Sequence, residues 1–116
     1  MKSDLGYINH FKEEIIFLQI ESKKLNRDQF VSDDLMKRAF VRSIEIIGEA
    51  SNKLSDSFKK KYSDVEWKKL SATRNRLIHG YFVVDYDIVW DLVITKIPNL
   101  EIQINLIISK EKTLFD

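Results

Sequence analysis

Apolar residues recur every three or four positions through most of this chain, and that spacing predicts helices rather than strands. Leu5, Ile8, Phe11, Ile15 and Leu18 form one stripe. It lies behind Asp4, a residue suited to cap a helix running to about Leu25. Asn26-Arg27-Asp28-Gln29 then places an N-cap residue three positions before a glutamine, as in a capping box. Ser32-Asp33-Asp34 offers another cap before the longest predicted helix, residues 33–54. Its stripe reads Leu35, Phe40, Ile44, Ile47 and Leu54. Gly48 inside that helix costs about 1 kcal/mol relative to alanine. Close approach of another backbone is the simplest reason to keep it.

Residues 55–62 read as a short helix or turn. Ser63-Asp64-Val65-Glu66 repeats the capping-box pattern. The helix it predicts carries Trp67, Leu70, Leu77 and Ile78 inward, with Gly80 placed to end it. Phe82-Val83-Val84 has strand-forming residues but is short and lacks an evident partner. Asp85 or Asp87 caps a last helical stretch through Ile88, Trp90, Leu92, Ile97, Leu100, Ile104 and Ile108. Pro98 must kink this stretch or start a new helix from its first turn. The alternation from Glu101 to Asn105 resembles a strand but would be isolated, so the helical reading is preferred. With three glycines and one proline, the chain has too few turn residues for an all-β fold. The expectation is an all-α protein, a single domain over residues 1–116, built as an up-and-down bundle of four to five helices.

Composition narrows the class further. The 116 residues are 44% hydrophobic and 32% charged, the balance of a folded, water-soluble domain. Without cysteine there is neither a disulfide framework nor a thiolate metal site. No apolar run approaches the length of a membrane span, and the start lacks a signal-peptide core, so a cytoplasmic location is expected. The net charge of +1 conceals an asymmetry. Residues 53–76 hold eight bases against three acids, and the flanking segments are acidic. Lys53, Lys59, Lys60, Lys61, Lys68 and Lys69 make this stretch a candidate RNA-binding patch, since such a field concentrates polyanions.

The patch ends in Arg74-Asn75-Arg76-Leu77-Ile78-His79-Gly80-Tyr81. Arginine binds phosphate oxygens bidentately, and histidine gives and takes protons near neutrality. Together they point to work on a phosphodiester. On a continuous helix Arg74 and His79 would lie about 140° apart around the axis, while Asn75 and His79 would share a face. That geometry asks for a cleft or a second copy of the chain. A histidine in a last helical turn would also be stabilised as a cation, suited to protonating a leaving 5′-oxygen. Arg74 would stabilise charge on the phosphorane, and Asn75 and Arg76 would orient substrate. The two histidines, His10 and His79, are far apart, so no metal or other cofactor is called for. A structural role competes with each assignment: a histidine near a helix end is commonly a cap, and Trp67 and Trp90 are natural core anchors.

These residues resemble a known family. Arginine, four residues, histidine, one residue, tyrosine is the motif of the HepT-like toxins of the HEPN ribonuclease superfamily. Arg42 to Ala50, Trp67, and Tyr81-Phe82 through Trp90 are similar as well, so the likeness spans roughly residues 33–100. The resemblance implies a homodimeric helical bundle with the two motifs meeting in an interface cleft. It implies metal-independent endoribonuclease activity with Arg74 and His79 catalytic, and a minimal nucleotidyltransferase antitoxin as partner. Tyr81 matches the tyrosine that accepts AMP from that partner. The competing reading is a non-catalytic helical adaptor that binds a nucleotidyltransferase or presents nucleotides to it.

Overall fold

Local capping decides where most helices begin. In the computed structural model, which describes residues 3–79 and 83–115 apart from the side chains of residues 74–76, 78, 79, 83 and 113–115, seven helices follow one another. Helix α1 (Asp4–Ser22) is capped by Ser3, whose hydroxyl accepts from the Gly6 amide. Asp4, expected to be the cap, instead accepts hydrogen bonds from the Ser55 amide and hydroxyl, at 2.8 and 2.7 Å. The Asn26–Gln29 capping box forms as expected and starts α2 (Arg27–Ser32). Asp33 caps α3 (Asp34–Lys53), and Ser55 caps α4 (Asp56–Lys61).

Helix α5 (Trp67–Leu77) departs from its predicted start. The chain turns through residues 62–65 with the Val65 amide bonded to the Tyr62 carbonyl. The Leu70 amide bonds the Glu66 carbonyl, so Ser63 is not the cap. Tertiary bonds hold this turn: the Trp67 indole N–H donates to the Tyr62 carbonyl and the Gln103 amide to the Asp64 carbonyl. Asp85 caps α6 (Tyr86–Thr95) through the amides of Asp87 and Ile88. Helix α7 (Ile97–Phe115) begins one residue before Pro98, so the proline sits in a first turn, where its missing N–H costs nothing. Residues 101–105 are helical.

The five longer helices form the bundle. Helix α3 lies between α1 and α5, α1 also packs on α7, and α6 closes against α7, with short α2 leaning on α3 and α6. The core runs through Phe11, Ile15, Leu18, Phe40, Ile44 and Ile47, all buried. Phe30 of α2 packs its ring on Phe40 and Trp90. Both tryptophans are buried, as core anchors should be. Two predicted core positions are exposed instead, Leu35 at 73% and Ile88 at 47%. Leu35 stands five residues before Phe40, about 140° off its face, and Met36 packs on the core in its place. On α6 the buried face is Val89, Trp90 and Val93, which leaves Ile88 outside.

Gly48 meets expectation. A β-carbon there would lie 3.0 Å from the Leu70 carbonyl oxygen of α5. The buried Ser43 hydroxyl bonds Glu14 at 2.7 Å and ties α3 to α1. No single described helix is long and apolar enough to cross a membrane.

Candidate active site

The motif stands at a change of backbone. Helix α5 carries residues 74–76 in its final turn and ends at Leu77, whose side chain is 2% exposed. The next two residues form a short strand, β1 (Ile78–His79), paired antiparallel with β2 (Val83–Val84). Ile78 faces Val84 and His79 faces Val83 in the register. Directly after β2 comes Asp85, the cap of α6. Strand β1 is therefore anchored on one side by buried Leu77, and β2 on the other by the capped start of α6. The β-branched pair Val83-Val84, expected to lack a partner, finds one in the motif itself.

Three expectations change with this. His79 is not in a last helical turn, so the helix dipole gives no reason for it to be cationic. The angle of about 140° assumed a continuous helix through His79, and the helix stops two residues earlier. For the same reason Asn75 and His79 do not share a helical face. Gly80, expected to end α5, lies outside the described residues, and the helix stops at Leu77. Tyr81, the candidate for modification, lies outside the described residues. So do the side chains of Arg74, Asn75, Arg76 and His79.

The lysines divide into separate groups. Lys59 and Lys60 on α4 and Lys68 and Lys69 in the first turn of α5 line one groove of about 870 Å³. Its floor includes buried Val65 and Trp67, and Ala72 lies farther along α5. Asn52, Asp56 and Glu66 also line it, and sequence patterning gave no sign of their place there. Lys69 pairs with Glu66 at 3.0 Å, a contact that holds the Glu66 carboxyl below its ordinary range. Lys59, Lys60 and Lys68 make no ion pair with any described residue. Lys61 leaves the patch, since it bonds Glu111 of α7 at 3.0 Å. Glu111 also accepts a short hydrogen bond from the Tyr62 hydroxyl. Burial first, and that bond second, push the Tyr62 phenol up, while the bond from Tyr62 and then Lys61 pull Glu111 down. Lys53 lies near the end of α3 and does not line the groove.

Elsewhere, Glu45 and Glu49 both face Arg42, at 3.6 Å each. His10 lies 3.7 Å from Glu13 on α1. Among the described residues no three His, Asp or Glu side chains gather as a metal-holding group.

A helix–strand junction carrying Arg74 and His79, with a lysine groove at the other end of the same helix, is an arrangement suited to a phosphodiester polymer. The family model described as "Ribonuclease HepT-like" matches residues 7–107, nearly the whole bundle and all of the motif. The chain belongs to the ribonuclease HepT-like family. A protein of Caldanaerobacter subterraneus subsp. tengcongensis, named as a candidate RNase, is 44% identical over 97% of this chain and 100% of its own length. A Methanocaldococcus jannaschii protein, also named as a candidate RNase, is 46% identical over 62% of this chain and 60% of its own. The "Probable ribonuclease HepT" of Thermococcus cleftensis is 31% identical over 86% of this chain and 91% of its own. No solved structure matches the chain significantly. At the level of the family, this HepT-like protein is an all-α endoribonuclease of the HEPN superfamily.

Proposed function

We propose that this HepT-like chain is the toxin of a toxin–antitoxin pair and cleaves RNA without a metal ion, using Arg74 and His79. The 2′-hydroxyl attacks the adjacent phosphorus and loses its proton, and the 5′-oxygen departs with a proton. The products are a 2′,3′-cyclic phosphate and a 5′-hydroxyl. His79 handles these protons, because imidazole exchanges them near neutral pH. Arg74 meets the charge that builds on the phosphorane oxygens. Asn75 and Arg76, in the same helical turn, orient the strand. A homodimer brings two such motifs to one cleft, so that acid and base can come from different copies. A nucleotidyltransferase antitoxin restrains the toxin by adding AMP to Tyr81.

The observation that carries this reading is the bracketing of β1, the strand of His79, between buried Leu77 and the capped start of α6. Geometry fixed at both ends favours a reacting group over an ornamental surface histidine. Incubating the pure protein and its His79→Ala variant with RNA, then analysing product ends, tests it. Cyclic phosphate ends from the parent and intact RNA from the variant are expected. Cleavage by a folded His79→Ala protein overturns the assignment. No cleavage by the parent turns the reading toward an adaptor for the nucleotidyltransferase.

A further inference from the structure

Four of the six lysines in the basic segment converge on one groove, although they come from two helices. Lys59 and Lys60 stand on one wall, contributed by α4, and Lys68 and Lys69 on the other, from the first turn of α5. Among the described residues, Lys59, Lys60 and Lys68 have no carboxylate partner, whereas Lys61 is drawn to Glu111. The floor between them is apolar at Val65 and Trp67. Trp67 is 5% exposed with its indole N–H bonded to the Tyr62 carbonyl, so it offers no ring face for a base to stack on.

The groove also has a direction. Lys68, Ser71 and Ala72 line it along α5. The backbone register of that helix puts Asn75, seven residues beyond Lys68, within about 20° of it around the axis. The groove face thus leads to the motif by way of Asn75. Lys68 and Arg74 are six residues apart, about 9 Å along the helix. That distance is covered by about three stacked nucleotides at roughly 3.4 Å each.

We propose that the groove between α4 and α5 holds the sugar–phosphate backbone of a single RNA strand, with Lys59, Lys60 and Lys68 on successive phosphates and Asn75 at the exit toward Arg74 and His79. The inference rests on the ribonuclease reading for its choice of polyanion. Cations on two walls, with no exposed aromatic between them, read the backbone and not the bases, so binding is tolerant of sequence. Glu66 works against binding: it lines the groove and holds Lys69 away from a phosphate.

The test uses a fully 2′-O-methylated single-stranded oligonucleotide of about 12 nucleotides. It cannot be cleaved, so binding is read apart from catalysis. The triple variant Lys59→Ala, Lys60→Ala, Lys68→Ala should bind at least tenfold more weakly. The log–log salt dependence of its affinity should be shallower by about 2. Lys12→Ala, Lys23→Ala, Lys112→Ala removes equal charge elsewhere and should bind within about threefold of the parent. Glu66→Gln should bind more tightly than the parent, which keeps the test decisive if the groove triple fails to fold. A duplex of the same sequence should bind at least tenfold more weakly.

Equal losses in the two triple variants, unchanged or weaker binding by Glu66→Gln, equal binding of the duplex, or displacement of the probe by poly-glutamate each overturn the proposal. Failure of the nuclease reading looks different: no cleavage of RNA by the parent, while the groove triple still loses the probe.

Discussion

Gly48 of α3 and Leu70 of α5 meet backbone to backbone, with room for no side chain between them: a β-carbon on Gly48 would stand 3.0 Å from the Leu70 carbonyl oxygen. In a regular α-helix that carbonyl accepts the amide four residues on, which here is Arg74. The glycine therefore lies against the helical turn that leads to Arg74, the arginine proposed to act on the phosphorane. Gly48→Ala gains about 1 kcal/mol of helix propensity. It also forces a backbone carbonyl to shift, a strain of about 1–3 kcal/mol. We expect net destabilisation of about 1 kcal/mol by urea unfolding, with a larger proportional loss of RNA cleavage. A variant more stable than the parent with full activity would show that α5 can move without consequence.

The glycine was legible in the sequence because a glycine inside an otherwise strong helix has few explanations. The caps at Asn26 and Asp33 were legible for a similar reason, since capping is a contact between residues three apart. What escaped was set by contacts distant in sequence. The start of α5 depends on Gln103 reaching the Asp64 carbonyl, so the local signal at Ser63 misled. The end of α5 depends on Val83 and Val84 pairing back onto Ile78 and His79, and this moved His79 off the helix on which its first assignment rested. Among the lysines, Lys60 and Lys61 are neighbours in sequence, yet only Lys60 lines the groove while Glu111, fifty positions away, takes Lys61. The residue types of the candidate site could be read directly. Their arrangement required the packing of α4, α5 and α7.

The contact of Tyr62 and Lys61 with Glu111 fastens the end of α7 to the far wall of the groove. The Glu111 carboxyl is held below its ordinary value of 4.5. Its stabilising contribution is therefore present above the unfolded-state pKa and is lost as pH falls through the folded one. Tyr62 is shifted upward from 10.0, so its contribution is present below that value and is lost only as pH rises through its folded pKa. Glu111→Gln should cost about 1 kcal/mol near neutrality. The gap between parent and variant should close as pH falls below about 4.5. Urea unfolding at neutral and acid pH measures both; a gap that stays constant with pH would remove Glu111 ionisation from the account.

Arg74 is assigned to charge on the phosphorane, where two parallel N–H donors matter more than charge alone. Arg74→Lys keeps the cation and loses the fork. We expect kcat to fall by about 10²-fold, with affinity for the uncleavable strand within about threefold of the parent. A lysine variant with near-parent kcat would make Arg74 a general electrostatic residue like the groove lysines. A variant that loses strand affinity instead would place it in ground-state binding.

Tyr81 follows His79 by two residues, and control of the site is assigned to it. In the proposed reaction the phenol oxygen attacks the α-phosphorus of ATP, pyrophosphate leaves, and the tyrosine carries AMP through a phosphodiester. The modification puts a negative charge and a nucleotide beside the position where the RNA phosphate must sit, and both effects oppose substrate binding. Tyr81→Phe removes the acceptor and nothing that the cleavage chemistry requires. The variant should cleave RNA at close to the parent rate and arrest growth when expressed alone. It should continue to do so when a nucleotidyltransferase partner is supplied, whereas the parent is silenced. Mass spectrometry of the parent after incubation with partner and ATP should find one AMP on the peptide containing Tyr81. AMP mapped to Tyr62, Tyr86 or any other residue would move the control point off the motif. Silencing of Tyr81→Phe by the partner would make inhibition a matter of binding instead of modification.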